Sequence, residues 1–329
     1  MKKIILPVLM GMSLLLPGIS RAQQAPLVSQ YMFNTLYINP AYAGYKGDIF
    51  AHAFYRSQWI GMTGAPETAA LSVDMAVADN RVGLGLVVGN DRYGANHTNS
   101  FMTNYSYRFN INRTMQLSFG IAAGLINYGV DGSKLDPIQV GDPLVATSMY
   151  NVWLPEAGAG AYLSDDRFYV GFSAVNILSR YMPIRGNELQ QYVQRTMPGL
   201  MLTAGMMFPL SDQFDFKPSF LLREDFNNPT SVDFNFMFLI SKTVWVGTSY
   251  RMSAILGKDI DEKSLQSSAL ALLLEVYATE HLRIGYSYDY DFGEISRYSG
   301  GNHEISVGFN ISSLSSSRDR RKVQRMRYF

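Results

Sequence analysis

Apolar and polar residues alternate along most of the chain. From Leu282 to Phe292 the even positions carry Leu, Ile, Tyr and Phe, while the odd positions carry Arg, Gly, Ser and Asp. The same period of two recurs over 101–111, 232–240 and 305–311. Because successive side chains of a strand point to opposite faces, each run predicts a strand with one apolar face and one polar or small face.

Such runs predict about fourteen strands. They lie near 48–60, 66–78, 81–91, 97–110, 114–128, 152–163, 167–178, 193–208, 213–224, 230–240, 243–254, 268–278, 282–292 and 302–313. Most reach the roughly nine to eleven residues that a tilted strand needs to cross a bilayer. After Ala22 no apolar run approaches the roughly 18 to 20 residues of a spanning helix.

Every second junction between these strands is predicted to be a tight turn. The turns are Asp79-Asn80, Ile111 to Arg113, Ser164 to Asp166, Pro209 to Asp212, Ser241-Lys242 and Thr279-Glu280. The intervening junctions include the long stretches 128–151, 179–192, 255–267 and 293–301. Short and long connections that alternate, with an even strand number, are typical of outer-membrane barrels with short periplasmic turns and longer surface loops.

The predicted fold is therefore all-β, a single antiparallel transmembrane β-barrel over residues 48–313. A sheet in hydrocarbon must close on itself, with apolar residues toward lipid and Gly, Ser, Asn and Asp toward the lumen. A soluble sandwich with the faces reversed around a dry core is the alternative. The absence of cysteine excludes a disulfide scaffold and a lipoprotein anchor.

Two terminal segments precede this barrel. Residues 1–22 read as a signal peptide, with a basic start, an apolar run from Ile4 to Leu16 and small residues at the cleavage site; a retained signal anchor is the alternative. Residues 23–47 are apolar without strand alternation, and Asn39-Pro40 with Gly44 indicates a turn. We expect residues 23–47 to form a plug in the periplasmic mouth, with a flexible leader as the alternative.

Charge is unevenly distributed along the chain. The 28 Lys plus Arg nearly balance 27 Asp plus Glu. The basic tail, 314–329, nevertheless concentrates six cations against one Asp, namely Arg318, Arg320, Arg321, Lys322, Arg325 and Arg327. With an even strand count this tail emerges in the periplasm, where nucleic acid is not a partner. It is predicted to dock on an acidic protein surface, and a solvated tail is the alternative.

Motifs for catalysis are absent from the sequence. There is no nucleophile elbow, Walker loop, zincin helix or dinucleotide fingerprint, and the four histidines have no ligand spacing. Asp259, Asp261 and Glu262 could bind calcium in a surface loop, although an exposed acidic loop is the simpler interpretation. We expect a protein without enzymatic activity, cofactor or resident metal; a surface lipase remains a third class.

Several motifs resemble those of the PorP/SprF family. The resemblance rests on SQYMFN at 29–34, NPAYAG at 39–44, YRSQW at 55–59 and YSYDY at 286–290. It singles out Gln30, Tyr31, Met32, Phe33, Asn34, Asn39, Pro40, Ala41, Gly44, Arg56, Gln58 and Trp59 as candidate plug and motif residues. Thr35 stands where many relatives are expected to have proline.

This resemblance implies an outer-membrane component of the type IX secretion and gliding machinery of Bacteroidetes. It implies a role in exporting or anchoring cargo or adhesins with a C-terminal sorting domain, and contact with machinery subunits in the periplasm. Residues 30–44 and 318–329 would contact the machinery, and loops 129–151 and 179–192 the cargo. The Asn-Pro-Ala segment also resembles the hatch of FadL-type barrels, so a channel for hydrophobic small molecules is the alternative function.

Overall fold

The computed structural model describes residues 28–135, 148–184, 195–226, 228–254 and 268–311. They form a single antiparallel sheet. Its strands are β1 Ile49–Ser57, β2 Glu67–Val77, β3 Val82–Tyr93, β4 Asn96–Asn110, β5 Gln116–Asp131, β6 Met149–Ser164, β7 Phe168–Val175, β8 Gly199–Met206, β9 Phe214–Glu224, β10 Thr230–Ile240, β11 Val244–Ala254, β12 Ala269–Tyr277, β13 Leu282–Asp291 and β14 Asn302–Ile311. Short 3-10 helices lie at Tyr31–Phe33, Thr35–Tyr37, Pro40–Tyr42, Gly132–Lys134 and Glu294–Arg297.

The sheet closes into a barrel because its first and last strands pair. Ile49 of β1 lies opposite Ile311 of β14, and their register continues to Ser57 opposite His303. Each of the fourteen strands thus has a neighbour on both sides. Closure gives the backbone groups of a spanning sheet partners that hydrocarbon cannot supply.

Strand β8 is interrupted at one residue. The two-residue segment Phe208–Pro209 continues β8 beyond Met207 and pairs with β9 in the same register. Pro218 of β9 lies at this break, and a proline has no N–H to donate to a ladder. The interruption therefore follows from the proline, and the two pieces count as one strand.

The barrel has an apolar outer face and a largely polar inner face. Alternate residues of each strand are exposed or buried, as in β10, where Phe234, Phe236 and Phe238 point outward while Asp233 and Asn235 are buried. This alternation is the one predicted for a barrel in lipid. No helix among the described residues is long and apolar enough to cross a membrane.

The two ends of the barrel differ in their connections. At the end that we call the short-turn end, six tight turns lie where the sequence predicts them, for example Ser241–Thr243 between β10 and β11. At the opposite, long-loop end, the alternation is less strict than predicted. Only Gly94 and Ala95 separate β3 from β4, because Gly94 adopts a left-handed φ of 57° that closes a tight hairpin.

Several predictions lie outside the described residues. These are the signal peptide, residues 23–27, parts of the loops at 128–151 and 179–192, the acidic loop with Asp259, and the basic tail. They stay predictions. Strand β7 is shorter than predicted, since it ends at Val175 instead of continuing to 178.

The outer face gives the first test. Ile121 is 61% exposed in the middle of β5. If this face contacts hydrocarbon, Ile121→Arg should lower the free energy of unfolding from lipid vesicles by about 2–4 kcal/mol, because a charge near the bilayer midplane is poorly solvated. Folding can be followed by urea titration of the vesicle-bound protein. Ile111→Arg in the β4–β5 turn is the matched control, with an expected loss of about 0–1 kcal/mol; equal losses at both positions would contradict a lipid-facing band.

Candidate functional site

Residues 28–48, the luminal segment, fill the interior of the barrel. All of them except Tyr37 and Gly47 are buried, and three short 3-10 helices give the segment its compact form. The segment joins β1 at the short-turn end and extends to Ser29, which contacts Arg56 near the other end of β1. The described part therefore runs through most of the lumen, deeper than the mouth location that we expect from the sequence.

Ser29 and Gln30 bind the carboxylate of Glu304 on β14. The backbone N–H of Ser29 donates to Oε2 at 2.9 Å, and that of Gln30 donates to Oε1 at 3.0 Å. The side chain of Gln30 also donates to the Glu304 carbonyl and accepts from the Ser306 hydroxyl. Both carboxylate oxygens of Glu304 are thus used to hold the start of the segment.

A buried set of charges surrounds this attachment point. We call it the arginine cluster; it comprises Arg56, Arg223, Arg251, Asp233, Asp289 and Glu304. Arg56 donates to Asp289 at 2.7 Å and to Glu304 at 3.0 Å, while the Ser29 hydroxyl donates to Asp289 at 2.5 Å. Three guanidinium groups and three carboxylates balance in formal charge, which a buried cluster requires.

The next residues pack on an apolar part of the inner wall. Tyr31, Met32 and Phe33 lie against a group of buried side chains from four neighbouring strands, Leu221, Met237, Leu239, Trp245 and Leu273. The Phe33 and Trp245 ring centroids are 6.5 Å apart. The amide of Asn235 donates to the Tyr31 hydroxyl. The inner wall is therefore apolar where it contacts the apolar residues of the segment. The sequence pattern predicts a polar lumen and does not show this apolar part.

The second half of the segment is fixed by its turn residues. Asn39 accepts from the N–H of Ala41 at 2.9 Å, which caps the 3-10 helix begun by Pro40, and donates to the carbonyls of Ala161 and Phe172. Further toward the short-turn end, the N–H of Gly44 donates to Asp74 at 2.8 Å. In the first half of the luminal segment, the side-chain oxygen of Asn34 accepts a hydrogen bond from the Ser72 hydroxyl.

Glycines of the wall make room for this backbone. A Cβ on Gly83 would lie 1.9 Å from the Ala43 carbonyl oxygen, and one on Gly120 would lie 2.3 Å from the Ala41 nitrogen. Gly44 has a φ of 65°, and a Cβ there would lie 2.7 Å from the Met75 carbonyl oxygen. Close approach and a left-handed backbone both favour glycine at these positions.

Burial affects the charge of the segment near its exit. Lys46 is buried, with its ammonium 3.5 Å from the Phe50 ring centroid. Desolvation lowers the pKa of Lys46 well below its usual value, and the Arg283 guanidinium lowers it further.

Among the residues that the structure describes, no group of three acidic or histidine side chains has metal-binding geometry.

The structure brings most of the motif residues together. Ten of them, from Gln30 to Gly44 with Arg56, lie in or against the luminal segment. Gln58 and Trp59 instead lie in the β1–β2 loop, where the N–H of Trp59 donates to Asn302. The proposed contact of residues 30–44 with machinery subunits stays a prediction, and their burial means that a partner would reach them through a barrel mouth.

The partners of Arg56 were not identified from the sequence. Asp289 lies in the YSYDY motif at 286–290, but neither this residue nor Glu304, Asp233, Arg223 and Arg251 has a predicted role. Their signal is a charged residue at an inward position of an alternating strand. That signal places the residue in the lumen without showing which opposite charge it meets.

The anchor gives a second test. Arg56→Met keeps most of the volume but leaves Asp289 and Glu304 short of a buried cation, so we expect a loss of about 3–5 kcal/mol in unfolding free energy. Lys46 is the sole Lys or Arg in residues 28–48. Trypsin cleavage after Lys46 should therefore accelerate as the segment loosens. Arg113→Met in the exposed β4–β5 turn is the control; an Arg56 variant as stable and as protease-resistant as this control would refute the anchor.

The chain is similar to several solved structures, each at low sequence identity. A Pseudomonas aeruginosa FadL homologue shares 11% identity with a TM-score of 0.46, over 89% of this chain and 96% of that one. The CymD monoaromatic hydrocarbon channel shares 12% with a TM-score of 0.46, over 89% and 95%. A triple mutant of the Rhodopseudomonas blastica porin shares 9% with a TM-score of 0.35, over 80% and 99%. No curated protein matches the chain in sequence.

A family model gives a more specific match. The model described as type IX secretion system membrane protein PorP/SprF matches residues 20–309. This range contains the luminal segment, the arginine cluster and nearly all of the barrel, and it confirms the resemblance carried by the N-terminal motifs. The chain belongs to the PorP/SprF family of type IX secretion system membrane proteins.

Proposed function

We propose that the protein is a non-enzymatic outer-membrane component of the type IX machinery that assists export or surface anchoring of cargo proteins with a C-terminal sorting domain. The observation that carries this proposal is family membership over residues 20–309. The family comprises membrane proteins of that system, and the closed barrel with an apolar outer face suits such a location.

The orientation follows from the connections. Barrels of the outer membrane place short turns in the periplasm and longer loops at the cell surface. The short-turn end would then face periplasmic machinery subunits, and the long-loop end would face exported cargo. The basic tail follows β14, which ends at the short-turn end, so the tail would extend from the periplasmic mouth.

The filled lumen supports a structural role over a diffusion channel. Barrels of eight strands fill their interior with wall side chains, whereas barrels of sixteen to eighteen strands leave a channel. At fourteen strands the lumen needs additional material to be filled, and the luminal segment supplies it. The alternative, a channel for hydrophobic small molecules, would require Tyr31 to Phe33 to leave the apolar wall that they cover.

The tail gives the third test. Removing residues 318–329 deletes six cations, and we expect recovery of machinery subunits with the tagged protein to fall about tenfold, equivalent to about 1.4 kcal/mol of binding free energy. A control in which the six cations are exchanged between Lys and Arg keeps the charge and should retain recovery. Recovery unchanged by the deletion would refute docking through the tail.

The lumen gives the fourth test. Deleting residues 28–47 should produce ion conductance in planar bilayers, because a fourteen-stranded wall without the segment leaves an open interior. The wild-type chain should conduct little and take up no hydrophobic solute. A variant with Gly and Ser in place of residues 61–64, in the surface-side β1–β2 loop, is the control. Conductance or solute uptake by the wild-type protein would favour the channel.

A further inference from the structure

Among the described residues, part of strand β6 has a neighbour on one side only. β6 pairs with β5 along its whole length, from Met149 opposite Asp131 to Ser164 opposite Gln116. On its other side it pairs with β7 only from Ala159 to Ser164. The first half of β6 therefore forms an edge at the long-loop end of the barrel, which we call the β6 edge, residues 149–155.

The backbone groups on this edge can be assigned from one hydrogen bond. The N–H of Ile177 donates to the carbonyl of Ala157 at 3.0 Å, so Ala157 points away from β5. The register with β5 has no bulge, and alternate residues point to the same side. The N–H and C=O groups of Met149, Asn151 and Trp153 therefore face the open side, where no described residue pairs with them.

Pro155 agrees with this assignment. It lies opposite Leu125 on β5 and has the same parity as Trp153 and Ala157. Its missing N–H is therefore on the open side, where a proline costs no ladder bond. Pro155 also limits the length of any added strand, since the donors available to a partner end at Trp153.

The described part of the chain after β7 turns into the lumen and does not pair with the β6 edge. Asn176 has a φ of 56°, in the left-handed region, so the chain leaves the sheet there. The carboxylate of Glu156 then accepts from the N–H groups of Leu178 and Ser179 at 2.7 and 3.2 Å. Tyr128 holds the Ser179 hydroxyl at 3.0 Å. The described residues that follow β7 are thus bound inside the wall and not along the β6 edge.

The outer wall beside the edge is polar. Asn90 donates to Asn99 at 2.6 Å and Asn99 to Asn127 at 3.4 Å, while His97 and Asn151 share a hydrogen bond of 2.9 Å. These side chains lie on the outward parity of β3 to β6, above the apolar positions of the same strands. Backbone N–H and C=O groups without partners are costly in hydrocarbon. The polar side chains on the outer wall therefore place the β6 edge outside the hydrocarbon region of the bilayer.

We propose that the β6 edge binds an extended segment of the exported polypeptide by β-strand addition. Backbone groups in this mode supply affinity, and side chains on alternate positions supply specificity. Met149 and Trp153 flank the edge on the outer side and are 62% and 58% exposed, so the added strand carries apolar residues toward them. Proteins protect open edges with charged side chains, and none of residues 149–155 is charged.

The identity of the partner rests on the proposed function, whereas the availability of the edge does not. The first experiment therefore uses the full-length protein alone, in lipid nanodiscs, and measures hydrogen–deuterium exchange of residues 148–157. The amides of Met149, Asn151 and Trp153 should exchange rapidly, while those of Tyr150, Val152 and Leu154 should be protected by β5. Protection of all six in the monomer, or in a dimer identified by mass, would overturn the inference because this chain would then cover its own edge.

The second experiment adds the partner. The protein is isolated together with a tagged exported polypeptide that carries a C-terminal sorting domain, and exchange is measured again. The three rapid amides should become protected. If the exported polypeptide is recovered but these amides still exchange rapidly, edge pairing is wrong while the proposed function stands. If no exported polypeptide is recovered with the wild-type protein, the cargo role fails, and this partner assignment fails with it.

A pair of variants separates backbone from side-chain contributions. Met149→Pro with Trp153→Pro removes two open-side donors without removing a donor to β5, so recovery of the exported polypeptide should fall at least about tenfold. Met149→Ala with Trp153→Ala keeps both donors and should lower recovery by no more than about threefold. Slow trypsin cleavage after Lys46 verifies that each variant is folded. Equal losses in the two variants would overturn a backbone-mediated contact.

Discussion

Hydrocarbon provides no hydrogen-bond partners, and this constraint determines the rest of the structure. Fourteen strands meet it by closing in a ring, with β14 against β1. Closure at this strand number creates a second requirement, because wall side chains alone do not fill so wide an interior. Residues 28–48 meet that requirement, and their fit explains why the inner face alternates between polar, apolar and glycine positions along the same strands.

The buried charges contribute more to position than to stability. Removing six ionised groups from water is costly, and their mutual attraction offsets that cost only when the geometry is good. Here Arg56 bridges Asp289 and Glu304, and Glu304 in turn receives two backbone N–H groups of the luminal segment. An apolar contact would tolerate sliding of the segment along the wall, whereas these directional bonds specify a single position for Ser29.

The alternation of apolar and polar residues predicted much of the fold, because the residues of a single strand are enough to show which of its faces is apolar and which is polar. The tight turns could also be predicted, because short polar pairs such as Ser241 and Lys242 separate two apolar runs, and both residues adopt left-handed φ angles in the structure. The early end of β7 was not readable, because it depends on Glu156, which binds Leu178 and Ser179 across the wall. The partners of Arg56 lie 233 and 248 residues away in sequence, beyond the reach of any local pattern.

The pairing of Ser29 with Glu304 spans 275 residues, nearly the whole length of the chain. The luminal segment is therefore held by a strand that is synthesised much later. During biogenesis the attachment site of Ser29 and Gln30 is incomplete until β13 and β14 join β1, although later residues of the segment bind earlier strands. A chain truncated before Asp289 would lack the two carboxylates that Arg56 binds, and the start of the luminal segment would lose its charged anchor.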